Sequence, residues 1–299
     1  MLPQYLKMIR VHIVIGGILA FTLGALLAVA NAGVFNPLKF ALFYAVVFFG
    51  DLSTHFSNDY FDVEIDARTT KKSFFAGSRI LVENPSLRPF AKTISLALLS
   101  TSILLAALAV ISQAASIELL LVAVGANFLG WSYSAPPLRL VSKGLGEIAI
   151  ALAVGFAIPA VGYLSVNGRF DGWFAYFAVP FILYGFMLAL SLEVKDIEVD
   201  QLVDRKTFGV RGNLRELFGL VFIVVLAAFL IFIVNAWMGI GGAINFWVVS
   251  AFGGVPLAVG LLGYLFGNKN NKAEFFGAAN IYSLFAINLL MITYLFLIV

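Results

Sequence analysis

Residues 214–238 read LRELFGLVFIVVLAAFLIFIVNAWM, an apolar run long enough to cross the hydrocarbon core of a bilayer as a helix. Its only charged residues, Arg215 and Glu216, stand at its start. Similar runs recur along the chain, and the predicted spans are 11–32, 38–58, 90–112, 116–134, 145–166, 172–193, 214–238, 245–267 and 275–298. We therefore predict an all-α integral membrane protein, a single polytopic domain over residues 1–299 with nine transmembrane helices.

The composition agrees with this class of protein. Of the 299 residues, 62% are hydrophobic and 12% are charged, whereas soluble globular proteins have about 25% charged residues. No alternating ten-residue pattern typical of barrel strands is present, so the spans are predicted to be helices. The absence of cysteine from the sequence excludes disulfides and thiolate metal sites.

The basic residues predict the orientation in the cell membrane. All but two of the 19 Lys and Arg residues fall in the N-terminal segment or in the loops after helices 2, 4, 6 and 8; the two exceptions are Lys39 and Arg169. By the positive-inside rule the N-terminus and these loops are cytoplasmic, and the C-terminus lies outside. The pI near 9.0 is thereby explained by topology, and no nucleic-acid partner is expected.

Two acidic motifs interrupt the apolar chain at the cytoplasmic ends of helices 2 and 6. They read NDYFDVEID at 58–66 and EVKDIEVD at 193–200, and each carries acids at i, i+3 and i+7. On a helix this spacing places all three acids on one face. Helices 2 and 6 run in the same direction, so the motifs lie at one depth. The equal offset of 134 residues, as from Asp59 to Glu193, suggests a duplicated four-helix unit.

Carboxylates at the ends of membrane helices are costly to desolvate without compensating charge. Mg²⁺ prefers oxygen ligands and is typically held by one or two carboxylates together with substrate phosphate. Basic residues that could neutralise phosphate oxygens stand nearby: Arg68, Lys71 and Lys72 after the first motif, Arg205 and Lys206 after the second, and Arg139 and Lys143 between helices 4 and 5. The alternative is solvated helix ends or internal salt bridges.

Three further polar residues have open interpretations. Tyr133 ends helix 4 and could contact a cation or a phosphate, or could belong to the interfacial aromatic belt. Asp51 lies inside helix 2, where it lines the cavity or pairs with another polar group. His12 is interpreted as an interfacial or packed residue.

With these motifs, the sequence resembles the UbiA superfamily of intramembrane prenyltransferases. NDYFDVEID matches that family's first motif, NDxxDxxxD, in full, and ExxDxxxD stands at the second, with Glu193 where Asp or Asn is commoner. From Asp200, six residues lead to Thr207-Phe208-Gly209-Val210-Arg211, which resembles the family's continuation. Tyr133-Ser134-Ala135-Pro136-Pro137-Leu138-Arg139-Leu140 and the following Lys143-Gly144-Leu145-Gly146-Glu147 resemble its loop between helices 4 and 5.

The resemblance implies helices around a central cavity and a prenyl diphosphate bound through Mg²⁺ between the motifs. The implied metal positions are Asn58, Asp59, Asp62, Asp66, Glu193, Asp196 and Asp200. The implied diphosphate contacts are Arg68, Lys71, Lys72, Arg139, Lys143 and Asn58. The catalytic set is Asp62, Asp66, Asp196, Asp200 and Tyr133.

The acceptor is predicted from one loop. Residues 73–83 read SFFAGSRILVE, similar to a segment of the menaquinone branch, which implies an aromatic quinone precursor, 1,4-dihydroxy-2-naphthoate, and a role in menaquinone biosynthesis. One alternative is prenyl transfer to geranylgeranylglyceryl phosphate in lipid synthesis. An alternative of another class is a cation-coupled transporter, although transporter sites usually lie near the midplane on broken helices.

Overall fold

The computed structural model describes residues 8–31, 33–68, 78–203, 205–240, 242–269 and 272–299. These residues form nine helices that are long and apolar enough to cross a membrane, and no strand. The helices, α1 to α9, are Val11–Ala30, Pro37–Phe61, Arg88–Ile111, Ile117–Ser134, Gly146–Asn167, Gly172–Glu193, Leu214–Trp237, Phe246–Phe266 and Ala273–Ile298. The nine predicted spans are confirmed, with ends that differ from the prediction by three residues or fewer.

Side-chain caps explain where several of these helices begin. Asn36 accepts hydrogen bonds from the backbone N–H groups of the first turn of α2, and Asp171 and Asn245 do the same for α6 and α8. Asn213 and Glu216 form a reciprocal capping box at the start of α7. Each cap satisfies backbone donors that have no partner inside the helix.

The helices form a closed bundle. α2 packs against α3 and α4, α6 packs against α5 and α7, and α9 closes the bundle by packing against α8, α6 and α1. α1 and α5 approach most closely at glycines: a Cβ on Gly24 would lie 1.9 Å from the Pro159 carbonyl oxygen, and one on Gly162 would lie 2.0 Å from that of Phe21. Small residues allow backbones to approach in this way where no aqueous hydrophobic force drives helices together.

An apolar cavity of about 120 Å³ lies between α1, α2, α5, α6 and α9. Its wall includes Leu23, Val154, Phe181, Leu188 and Phe285. α5 widens to a π-helical segment, Ala151–Ala157, beside this cavity. Five helices of the bundle therefore share one apolar cavity.

Both acidic motifs lie where a long helix ends and a short helix follows. α2 ends at Phe61, Asp62 occupies the cap, and Val63–Arg68 forms a short helix. α6 ends at Glu193, and Asp196 caps the short helix Ile197–Leu202. The expectation of one continuous helical face per motif is therefore wrong, because the chain leaves the helix within each motif. The proposed duplication of a four-helix unit stays a prediction.

Other short helical segments occupy the loops on the same side. They are Ile80–Glu83, Pro85–Leu87, Leu140–Lys143 and Phe208–Arg211.

Candidate active site

The two acidic motifs meet at the guanidinium group of Arg205. Nη2 of Arg205 lies 2.8 Å from Oδ1 of Asp62, and Nη1 lies 3.3 Å from Oδ1 of Asp200. A weaker contact of 3.5 Å joins Nη1 of Arg68 to the carbonyl oxygen of Leu202. The end of α2 and the segment after α6 thus share one site.

The end of α4 forms a third side of this site. The hydroxyl of Ser134 donates to Oδ2 of Asp62 at 2.8 Å. The neighbouring Tyr133 lines a cavity of about 60 Å³ together with Asp196, Asp200 and Arg205. The sequence-predicted residues Asp62, Tyr133, Asp196 and Asp200 are therefore brought together.

Asp59 lies on the same motif but has different partners. It forms an ion pair with Arg10 and accepts a hydrogen bond from the hydroxyl of Ser78. The carboxylate is only 2% exposed. Both of its oxygens are engaged, so a metal contact by Asp59 would require one of these partners to move.

Burial disfavours the ionised form of three other carboxyl groups in this site, those of Asp66, Asp196 and Asp200. Burial raises the pKa of Asp66 to about 7, and the nearby charge of Asp59 adds to this effect. Burial also raises the pKa of Asp196, although Lys195 and Arg205 act against it, and burial raises that of Asp200 to about 6 despite Arg205. A bound cation would favour the ionised form of all three groups.

The donor chemistry of this site suits a hard divalent cation. Oδ1 of Asn58 is buried and has no hydrogen-bond partner among the described residues. Asp66 and Asp196 form no ion pair with any described residue. In the described part of the chain, no three carboxylate or imidazole groups converge as a ready-made metal cage. One or two carboxylates completed by phosphate and water is the arrangement that Mg²⁺ commonly adopts, and these residues fit it.

Glu193 has a structural partner in addition to its predicted role. Its Oε2 accepts from the backbone N–H of Gly209 at 2.8 Å, and Oε1 of the buried Glu147 accepts from that of Phe208 at 2.7 Å. These two acids hold the segment that follows Arg205. The side chains of Glu193 and Glu147 also contact each other, so the metal role that the sequence predicts for Glu193 stays a prediction.

The predicted basic residues lie at the rim. Arg68, Arg139 and Lys143 are exposed, and Nζ of Lys143 donates to the carbonyl oxygen of Pro137 at 3.2 Å. Lys71 and Lys72 lie outside the described residues.

Sequence reasoning missed the roles of several residues in this site. In the sequence, Arg10 follows the positive-inside rule, and nothing more indicates that it pairs with Asp59. Arg205 is recognisable as a basic residue near the second motif, but its contact with Asp62 of the first motif is not. Ser134 ends α4 and Glu147 lies at the start of α5, on either side of the loop that carries the family resemblance, but nothing in their spacing indicates partners 72 and 61 residues away.

Comparison with known families gives one match that covers most of the chain. The model of the UbiA prenyltransferase family matches residues 18–288. No curated protein matches the chain by sequence.

Solved structures share the fold. A UbiA homologue from Archaeoglobus fulgidus bound to GPP and Mg²⁺ is similar with a TM-score of 0.71 at 18% identity, covering 99% of each chain. A digeranylgeranylglyceryl phosphate synthase has a TM-score of 0.70 at 20% identity, covering 98% of this chain and 97% of its own. The apo structure of a UbiA homologue from Aeropyrum pernix K1 has a TM-score of 0.70 at 15% identity, covering 93% and 97%.

Proposed function

The chain belongs to the UbiA prenyltransferase family, and from this we propose that it transfers a prenyl group from a prenyl diphosphate to an acceptor inside the membrane. The observation that carries the proposal is the meeting of two acidic motifs beside an apolar cavity. Leu192 lines both the acidic cavity and the apolar one. A diphosphate group at the motifs could therefore extend its hydrocarbon chain into the bundle.

We propose that Mg²⁺ holds the diphosphate, as it accompanies GPP in the Archaeoglobus homologue. The residues that would hold it are Asn58, Asp62 and Asp66 on one side and Asp196 and Asp200 on the other, with Asp59 and Glu193 as the ligands that already have partners. When bound, Mg²⁺ polarises the phosphate oxygens and stabilises the departing diphosphate.

The chain's own residues supply the other requirements. Arg205 is a cation positioned between the motifs, and its planar fork suits phosphate oxygens as well as carboxylates. The ring of Tyr133 borders the same space, where an aromatic face can stabilise positive charge on the allylic carbon. The apolar walls exclude water that would otherwise capture that carbon.

The acceptor that the sequence favours is an aromatic quinone precursor, 1,4-dihydroxy-2-naphthoate. Its support is the resemblance of residues 73–83 to the menaquinone branch; of these, 73–77 lie outside the described residues. A second candidate is geranylgeranylglyceryl phosphate, because the exposed Arg139, Lys143 and Lys206 at the rim could bind its phosphate group. Family membership favours either enzyme over a cation-coupled transporter.

A reaction with purified protein tests this proposal. The protein in detergent or liposomes is supplied with Mg²⁺, labelled geranyl or geranylgeranyl diphosphate, and each acceptor in turn, and lipid products are extracted. We expect a Mg²⁺-dependent prenylated naphthol. Product from the glycerol phosphate alone would leave the mechanism standing and overturn the acceptor.

Variants of the motifs test the assigned residues in the same reaction. We expect Asp62→Asn and Asp196→Asn each to lower transfer by at least about a hundredfold, because each removes a charged oxygen ligand worth several kcal/mol. Glu193→Gln should retain part of the activity, and Glu64→Gln is the matched control, because Glu64 is an exposed acid of the first motif. Unchanged turnover in Asp62→Asn or Asp196→Asn would contradict the metal assignment.

A further inference from the structure

The apolar cavity has one carboxylate in its wall, that of Asp51, among the residues that the structure describes. Asp51 lies inside α2, seven residues before Asn58 of the first motif. Seven residues are nearly two helical turns, so Asp51 lies on about the same face of α2, roughly 10 Å deeper in the bundle. The carboxylate is therefore within the membrane but outside the proposed diphosphate site.

The charged or titratable neighbour of Asp51 is a histidine, not a lysine or arginine, among the residues that the structure describes. Nε2 of His55, one turn further along α2, lies 3.4 Å from Oδ1 of Asp51. His55 is 5% exposed, and its Nε2 makes no hydrogen bond of good geometry with any described residue. In the described part of the chain no Lys or Arg side chain lies within 4 Å of Asp51. The side chain of Asp51 is 20% exposed.

The opposite wall leaves the carboxylate open to the cavity. Gly17 of α1 faces it, and a Cβ placed on that glycine would lie 3.8 Å from Oδ2 of Asp51. Gly17 and His12 both line the cavity. Because the residue is glycine, no side chain of α1 covers Oδ2 at this point.

Such a group is costly inside a membrane, and ionisable residues there generally face a ligand or a water-filled space. Neither the hydrocarbon chain nor the diphosphate of a prenyl diphosphate explains why a carboxylate is present at this place. A hydrocarbon chain gains nothing from contact with a carboxylate, and a diphosphate would be repelled by it. The remaining ligand is the acceptor, and a hydroxyl group is the acceptor's natural hydrogen-bond donor to a carboxylate.

We propose that Asp51, which lies beside His55, binds a hydroxyl group of the prenyl acceptor. This inference rests on the proposed function and adds a binding residue and an orientation to it: the acceptor places a hydroxyl group at Asp51, and its inner end carries no negative charge. Any anionic group of that acceptor points away from Asp51, towards the basic rim. An acceptor with a phenolic hydroxyl and an acceptor with an alcoholic hydroxyl both satisfy this requirement. An acceptor with a carboxylate at its inner end does not.

The test measures binding and not turnover. The purified protein is loaded with Mg²⁺ and an unreactive thio-analogue of geranyl diphosphate, and the affinities for 1,4-dihydroxy-2-naphthoate and geranylgeranylglyceryl phosphate are then titrated. For the acceptor that binds wild-type protein, we expect Asp51→Asn to weaken binding by at least about tenfold, since hydrogen bonds to buried charged groups are among the strong ones. Binding of the diphosphate analogue should be unchanged.

Two controls separate this role from a structural one. Glu118→Gln alters a carboxylate at the far end of α4 from the acidic motifs, where Ser116 keeps an oxygen to donate to, and should alter neither affinity. A chemical control needs no variant: O-methylation of the acceptor's hydroxyl groups should weaken its binding to wild-type protein by a similar factor. This comparison remains decisive if Asp51→Asn fails to fold.

These measurements distinguish a failure of the proposed role of Asp51 from a failure of the proposed function. Equal acceptor affinity in Asp51→Asn and wild type, or equal affinity for the methylated and free acceptors, would overturn the role of Asp51. Binding of the diphosphate analogue without binding of either hydroxylated acceptor would overturn it too, while leaving the donor site intact. Absence of Mg²⁺-dependent diphosphate binding would instead overturn the proposed function.

Discussion

Arg205 links the two acidic motifs through a single side chain. Burial acts to lower the pKa of its guanidinium, but the carboxylates of Asp62 and Asp200 raise it overall. A charge held in this way compensates acids that would otherwise face one another unpaired. The same cation is available to phosphate oxygens once a diphosphate enters between the motifs.

The variant Arg205→Gln is expected to raise the KM for prenyl diphosphate and to lower kcat/KM by at least about tenfold, because one charge-assisted phosphate contact is lost. Arg205→Lys should fall between wild type and Gln, since lysine keeps the charge but cannot contact both motifs with a planar fork. Steady-state kinetics against prenyl diphosphate measure this. Arg169→Gln, an exposed arginine at the other end of the bundle, is the control and should leave both constants unchanged.

At the scale of elements, the short helix Phe208–Arg211 is positioned from two sides. Glu147 at the start of α5 and Glu193 at the end of α6 accept successive backbone N–H groups at its first turn. The backbone N–H of Lys206 also donates to Ser142 at 3.2 Å. Three separate elements therefore determine where the chain after Arg205 runs.

Glu147→Ala should lower the free energy of unfolding by about 1–3 kcal/mol, because a buried backbone donor loses its partner. Transfer should fall with it, since Arg205 lies on the segment that this contact anchors. Thermal unfolding in detergent and turnover of the same preparation measure both effects. Glu147→Gln keeps an acceptor oxygen and should retain most of the stability; equal loss in the two variants would show that the charge, and not the hydrogen bond, matters.

The contact between α1 and α5 depends on the absence of a side chain at Gly162. The Cβ that Gly162→Ala introduces would lie 2.0 Å from the Phe21 carbonyl oxygen, so the helices must separate. We expect a loss of about 1–3 kcal/mol, the usual cost of overpacking, seen as a lower unfolding midpoint. Gly254→Ala in α8 is the matched control: no atom lies within 4 Å of its Cβ, and a lower midpoint there would contradict this explanation.

At the scale of the whole molecule, the distribution of basic residues predicts the orientation in the membrane. With no native cysteine, single cysteines can report the topology. A cysteine at Gln113, between α3 and α4, should react with a membrane-impermeant maleimide in intact cells. A cysteine at the exposed Asn268, after α8, should react only once the cells are permeabilised. The reverse pattern would place the active site on the outer side.

Much of this protein is determined by the sequence on its own. Nine apolar runs predict the nine helices to within three residues at each end, because crossing hydrocarbon requires about 20 residues whose backbone groups bond within the segment. The acids from Asp62 to Asp200 could likewise be identified as one site, since carboxylates at membrane helix ends require an explanation. The two motifs also carried the family assignment.

Only the tertiary structure decided which partner each of these acids has. Asp59 pairs with Arg10, Asp62 with Arg205 and Ser134, and Glu193 with the backbone of Gly209. Local pattern cannot reveal these pairs, because Arg10, Ser134 and Arg205 lie 49 to 143 residues from the aspartates that they contact and are brought to them by helix packing. The same packing places Asp51 against Gly17 in an apolar cavity. The physical reason is that the length of an apolar run shows which residues enter the membrane, whereas the hydrogen bonds and ion pairs of a side chain depend on neighbours from other helices.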